Sequence, residues 1–219
     1  MATAVEVGNF IQTIAPLVQK YCKQYGYKFA SPIIAQACCE SGYGTSWISK
    51  APYFNFFGLK CGGAWKCRSV SAKTKEEYTP GVLTSIVDNF RAFDSFEAGV
   101  EGYFKFINWS RYANLKEATS PEDYVEKIKA DGYATSSSYV STLKKIIDGY
   151  NLKKYDDFEY VDGVTPMPKK KADMDIVNKV MMGKYGNNPE RKQRLAEAGY
   201  DAADVQDKIN KIYALFKEG

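Results

Sequence analysis

Ile34-Ala35-Gln36-Ala37-Cys38-Cys39-Glu40-Ser41-Gly42-Tyr43-Gly44-Thr45-Ser46 is an apolar segment that ends on a carboxylate and runs at once into two glycines. Ser31-Pro32 ahead of it reads as a helix start: a hydroxyl cap, then proline at the first helical position, where a missing N–H costs nothing. Gly42 and Gly44 stop the helix. Glu40 is thereby presented on the last turn beside an apolar face, where partial desolvation holds its proton near neutral pH. A carboxyl in that state suits a general acid. Position alone fits a solvated helix-end glutamate equally well, so the choice falls to the rest of the chain.

What the chain lacks narrows the chemistry. It contains no histidine, which excludes Ser-His-Asp hydrolases, Cys-His peptidases and His-ligated zinc amidases together. Neither a phosphate-cradling Gly-rich loop with Lys-Ser/Thr nor a dinucleotide fingerprint occurs. Carboxylates, tyrosines and backbone amides remain, which suits glycosidic bond cleavage. No metal and no organic cofactor is expected.

The 219 residues hold one good-sized domain plus a small one, and a 45% hydrophobic content suffices for a packed core. Seventeen tyrosines fit a cleft for carbohydrate or peptide, though tyrosine also serves in ordinary cores. A net charge of +4 suits a polyanionic wall. Without a dense basic stripe interleaved with aromatics, no nucleic-acid partner is expected. No apolar run reaches membrane-spanning length, and Met1 to Val7 lacks a signal-peptide pattern. The expectation is synthesis in a cytoplasm without an export signal. Cys22, Cys38, Cys39, Cys61 and Cys67 read as free thiols, with closure of a Cys61–Cys67 loop as the alternative.

Helical spacing recurs at Phe10, Ile11, Ile14, Leu17, Val18, Tyr21 and Tyr25, and again at Phe96, Val100, Tyr103, Phe104 and Ile107. Ser120-Pro121-Glu122-Asp123 opens another helix, and Tyr139, Leu143, Ile146, Ile147 and Tyr150 mark one more. These stripes read as core. Residues 68–93 look extended, with Thr79-Pro80-Gly81-Val82 as a type II turn. In that hairpin Glu76 and Glu77 project to opposite faces, so only one looks toward Glu40.

Residues 156–171 lose periodicity and gather Pro166, Pro168 and three lysines, a linker composition. Beyond them lies a three-helix tail. Ile176, Val177, Val180 and Met181 form one apolar face. Asn188-Pro189-Glu190-Arg191 starts a helix ending at Gly199, and Asp201 caps another carrying Val205, Ile209, Ile212 and Phe216. The expected domains are 1–155, a linker over 156–171, and 172–219.

Five motifs in order carry a resemblance over roughly residues 1–155: Ile34–Ser46, Asn55-Phe56-Phe57-Gly58-Leu59-Lys60, Thr74-Lys75-Glu76-Glu77-Tyr78, Asn89-Phe90-Arg91-Ala92-Phe93-Asp94-Ser95 and Gly132-Tyr133-Ala134-Thr135. Together they resemble the family-73 glycoside hydrolases, the N-acetylglucosaminidases of autolysins, flagellar rod enzymes and phage lysins. The resemblance implies an α+β, mainly α, lysozyme-like fold with a β-hairpin lobe. It also implies hydrolysis of the GlcNAc-β-1,4-MurNAc bond of peptidoglycan. Glu40 matches the general acid, Glu77 the second carboxylate, open by one residue to Glu76, and Tyr133 a tyrosine at the reaction centre. Ser41, Gly44, Asn55, Phe57, Gly58 and Phe90 fall among the cleft positions.

The tail resembles the CW_7 cell-wall-binding repeat through Val180–Asn187, Glu190-Arg191, Arg194-Leu195, Ala198–Asp201 and Val205-Gln206. Tyr185, Arg191, Tyr200, Asp201 and Gln206 are its implied peptidoglycan-binding residues, with a structural cap network as the alternative for Tyr200 and Gln206. The layout matches a phage endolysin. A lytic transglycosylase or muramidase on the same fold and a non-catalytic wall-binding protein are the alternatives, and the oligomeric state stays open.

Overall fold

The computed structural model describes residues 2–62, 65–79, 81–158, 171–188, 190–198 and 200–215. They divide into two units, Met1–Thr165 and Pro166–Gly219.

In the first unit, α1 (Ala4–Tyr25) opens on a capping box in which Thr3 and Glu6 bond each other's backbone N–H. Its buried stripe of Val7, Phe10, Ile11, Ile14, Val18 and Tyr21 matches the sequence spacing. Next comes α2 (Ser31–Ser41), whose residues from Ser31 to Cys38 are all buried. A helix apolar on every side belongs at the centre of a fold, and α2 packs against α1, α4 (Pro121–Ala130) and α5 (Tyr139–Gly149). Between α4 and the hairpin lies α3 (Phe96–Ile107), which supplies Val100, Tyr103, Phe104 and Ile107 to the same core.

The start of α2 departs from expectation. Ser31 already lies inside the helix, and Ala30 before it has helical angles and no side-chain cap. The free N–H groups of Ala30 and Ser31 each donate to Asp156 Oδ1 at 2.7 Å, and Ser31 Oγ donates to Asp156 Oδ2 at 2.7 Å. A carboxylate from 125 residues downstream thus replaces the expected hydroxyl cap. Asp156 falls in the linker by composition, yet it ties down the central helix, and Phe158 packs on the same core. Residues 159–170 of the expected linker lie outside the described residues.

The hairpin pairs β1 (Ser69–Thr79) with β2 (Val82–Arg91) antiparallel, from Ser69 opposite Arg91 to Glu77 opposite Leu83. The register is irregular between Glu77 and Thr79. The expected turn includes Pro80, which lies outside the described residues. Ile48, Ala72 and Phe90 anchor the hairpin's base in a small apolar cluster, while Val82, Leu83 and Val87 near its tip are exposed.

The second unit consists of α6 (Met174–Met181), α7 (Glu190–Glu197) and α8 (Ala202–Leu215) around Ile176, Val177, Val180, Leu195, Val205 and Ile209. Asp173 caps α6 through Ile176 N–H, and Asp201 accepts from Ala203 N–H at the start of α8. Pro189, Gly199 and Phe216, used in reading these helices, lie outside the described residues. Among the described residues the fold is mainly helical with one β-hairpin, as the sequence predicts.

Candidate active site

Glu40 occupies the last turn of α2, and the chain reverses at Gly42 in the left-handed conformation. Its carboxyl faces protein. A Cβ placed on Gly58 would lie 3.1 Å from Glu40 Oε2, so a side chain there would press on the acid. The Gly58 backbone, at φ +62, is also one that other residues rarely adopt. Burial pushes the Glu40 carboxyl up to about 7 from 4.5, a hydrogen bond from Tyr139 works against that rise, and the charge of Glu76 adds to it. Glu40 therefore stays protonated into neutral pH.

The adjacent carboxylates of the hairpin divide differently from expectation. Glu76, with 13% of its side chain exposed, is paired to Lys60 at 2.6 Å and accepts from Thr135 Oγ1 at 2.9 Å. Its charge is the one that acts on Glu40. Glu77 accepts instead from Gly81 N–H at 2.8 Å and from Ser137 Oγ at 2.7 Å. These bonds hold its carboxyl below the usual range. Glu77, the match to the second carboxylate, is thus held by the Gly81 and Ser137 donors in this conformation, and Glu76, the choice left open by one residue, is the carboxylate whose charge reaches Glu40. Strand alternation allows one of the two to face Glu40, and Glu77, paired opposite Leu83, meets the Gly81 amide at the turn instead.

Tyr133 feels the charge of Glu40, but its hydroxyl donates to the Phe57 carbonyl at 2.7 Å. Committed in that way, it can accept from a ligand rather than donate. Its ring packs near Tyr103, Phe106, Tyr112 and Tyr139. Lys129 fixes the following turn by donating to the carbonyls of Ala134 and Thr135.

Four expected cleft residues are scaffold instead. Ser41 is fully buried, donates to Ala37 O and accepts from Gly44 N–H at 2.7 Å. Asn55, also buried, bonds the backbones of Leu59 and Arg91. Phe57 stacks on Tyr103 with centroids 4.0 Å apart, and Phe90 belongs to the cluster under the hairpin. Gly44 lies against the Phe10 ring, which a Cβ would meet at 2.5 Å. Apolar or amide side chains in a short loop are absorbed by the core they border, while Gly58 leaves room for the Glu40 carboxyl that a side chain there would fill. Sequence reasoning missed Gln36, Tyr139, Lys60, Thr135 and Ser137. Gln36 had a signal: it is an amide inside an apolar run, one helical turn before Glu40.

In the second unit, a groove of about 580 Å³ is lined by Arg191, Tyr200, Asp201 and Gln206, together with Asn188 and Asn210. Arg191 donates to Gly186 O and Gln206 Oε1, and Gln206 donates to Asn210. Tyr185 is partly buried and packs against the helical core of the unit, as Tyr200 also does.

The family described as mannosyl-glycoprotein endo-beta-N-acetylglucosaminidase matches residues 15–152. The chain belongs to this glucosaminidase family. Its glucosaminidase domain is 34% identical over 143 residues to the peptidoglycan hydrolase FlgJ of Pseudomonas aeruginosa, covering 63% of this chain and 35% of the relative. It is 34% identical over 154 residues to a probable N-acetylmuramidase of Lactococcus lactis, covering 67% and 34%. The chain thus spans about a third of the length of these curated relatives. Among solved structures, the catalytic domain of the autolysin Auto from Listeria monocytogenes superposes with a TM-score of 0.58 at 31% identity, covering 71% of this chain and 90% of that one. A CW_7 repeat matches residues 174–213. The chain thus carries a CW_7 wall-binding repeat in addition to its glucosaminidase domain.

Proposed function

We propose that the protein hydrolyses peptidoglycan at the GlcNAc-β-1,4-MurNAc bond, with Glu40 as general acid. The observation carrying this reading is the Glu40 carboxyl, held protonated to about pH 7 by burial and set within reach of a hairpin carboxylate. Glu40 protonates the leaving oxygen while a carboxylate of the Glu76–Glu77 pair stabilises the developing oxocarbenium ion or activates water. The geometry favours Glu76 for the second role and the family resemblance favours Glu77. Tyr133, with its proton on Phe57 O, positions the N-acetyl group as an acceptor. The CW_7-type groove, with Arg191, Tyr200, Asp201 and Gln206, holds the glycan-plus-peptide unit of the wall. The chain is of the endolysin type and acts on the wall from outside the cytoplasm in which it is made.

Digestion of purified sacculi tests the bond. A reducing-end GlcNAc supports this reading, whereas a reducing-end MurNAc makes the protein a muramidase, the name its lactococcal relative carries. A 1,6-anhydro-MurNAc product makes it a lytic transglycosylase, and intact sacculi leave a wall-binding protein. Removing the second unit after Phe158 is expected to preserve turnover of soluble glycan and to slow whole-cell lysis.

A further inference from the structure

One short segment touches both the acid on α2 and the hairpin. A Cβ on Gly58 would lie 3.1 Å from Glu40 Oε2, and two residues on, Lys60 Nζ lies 2.6 Å from Glu76 Oε1. Two residues of extended chain reach about 7 Å at most, so the helix acid and the hairpin carboxylate are tied to one short piece of backbone. That backbone is itself held. Asn55 bonds Leu59 through both its amide oxygen and its nitrogen, Arg91 N–H donates to Leu59 O at 2.9 Å, and Arg91 Nε donates to Lys60 O at 3.1 Å. The Arg91 guanidinium lies 4.6 Å from the centre of the Trp65 ring and 5.2 Å from that of Phe106, which fixes its own place. Lys60 therefore reaches out from a fixed base.

In the hairpin Glu76 stands opposite Thr84 and Asp88 opposite Ala72, so alternation puts both carboxylates on one face. Lys60 Nζ also lies 3.1 Å from Asp88 Oδ2 and joins the two across that face, since an ammonium has three protons to give. Glu76 Oε2 accepts from Thr135 Oγ1 at 2.9 Å. Each oxygen of Glu76 thus has its own donor, and the carboxylate is oriented from two sides. We propose that Lys60 is a positioning residue that holds Glu76 for the second-carboxylate role, and that Asp88 shares the ammonium so that Glu76 is steered without being neutralised. This rests on Glu76 taking the role that the geometry favours for it. One ammonium against two carboxylates leaves a net negative charge for a developing oxocarbenium ion to meet, whereas Lys60 on Glu76 alone would cancel it. With 38% of the Lys60 side chain open to solvent, the pairs add little to stability. Their effect is on where the carboxylate stands.

The test is a double-mutant cycle on solubilised glycan, read as kcat and KM separately at matched circular dichroism. Lys60→Met is expected to lower kcat by about 10- to 100-fold, the scale of a misplaced reacting group, with KM changed by less than about twofold. Adding Lys60→Met to Glu76→Gln should cost nothing further, because Lys60 acts through that carboxylate. Asp88→Asn leaves Lys60 to Glu76 alone and should lower kcat severalfold, which carries the test should Lys60→Met fold poorly. Normal kcat in both Lys60→Met and Asp88→Asn, a loss confined to KM, or full additivity with Glu76→Gln overturns the proposal. Glu76→Gln on its own separates the failures. Near-normal turnover there beside an impaired Glu77→Gln removes the role of Glu76, and this inference with it. An impaired Glu76→Gln beside a fully active Lys60→Met overturns the positioning role alone.

Discussion

On α2, Glu40 is carried by a helix buried on every side, capped by Asp156 and backed by tyrosines and an amide. On the hairpin, Glu76 and Glu77 are carried by two strands, a unit of marginal stability alone. They are fastened to the rest of the domain by Lys60, Thr135 and Ser137. The carboxyl of Glu40 is shifted by desolvation and that of Glu77 by hydrogen bonds, in opposite directions. Two environments that push carboxyl groups apart in this way suit the proposed division between an acid and a standing anion. The helix supplies fixed placement and the hairpin supplies a side that side-chain bonds can open.

The comparison is attacked first at the acid. Glu40→Gln keeps the size of the side chain and removes the donated proton, so lytic rate is expected to fall on the order of 10²- to 10⁴-fold at matched circular dichroism. Glu76→Gln and Glu77→Gln assayed beside it assign the second carboxylate. A larger loss in Glu76→Gln follows the geometry, and the reverse follows the resemblance.

The same substitution is expected to stabilise the fold. The folded-state value near 7 lies above the ordinary 4.5, so the native chain binds the Glu40 proton more tightly than the unfolded chain does. The associated stability is complete below the lower value and is lost as pH rises through the upper one. Glu40→Gln avoids that loss, by up to about 3 kcal/mol near pH 8 and by nothing near pH 4. Urea unfolding of both proteins at the two pH values measures it. An equal difference at both would mean that burial is not what shifts the acid.

On the helix side, Asp156→Ala removes three hydrogen bonds at the start of α2. A loss of about 2 kcal/mol is expected, within the range for caps and charged acceptors. A chain ending at 155 should show the same drop and one ending at 158 should not, which thermal unfolding resolves. On the hairpin side, Ser137→Ala frees the Glu77 carboxylate from one bond. About a tenfold fall in rate with little change in melting is expected, together with faster amide exchange over residues 69–91. If Ser137→Ala destabilises the domain as much as Asp156→Ala, the contrast between a fixed helix and a fastened hairpin is wrong.

Much of this was legible in the chain. The stripe of α1 and the hydrophobic run of α2 fix helices because 3.6-residue spacing and continuous apolarity leave no other way to bury those side chains. Glycines at the end of α2 place Glu40 at a helix terminus, and five motifs in order indicate the family. The absence of histidine confines the chemistry to carboxylates and tyrosines.

Tertiary structure decided the rest. Local pattern predicts that a helix begins near Ser31 but not that Asp156 caps it, because the orphan N–H groups accept any partner that folding brings near. Alternation predicts that Glu76 and Glu77 part ways. The partners each one finds, Lys60 and Thr135 for Glu76 and Ser137 and Gly81 for Glu77, came from loops that folding brings to the hairpin. Tyr139 read as one more core aromatic, and met the buried amide of Gln36 when α5 packed on α2. Periodicity records which face of an element is buried. Hydrogen-bond partners, and the carboxyl acidity they set, depend on which elements meet.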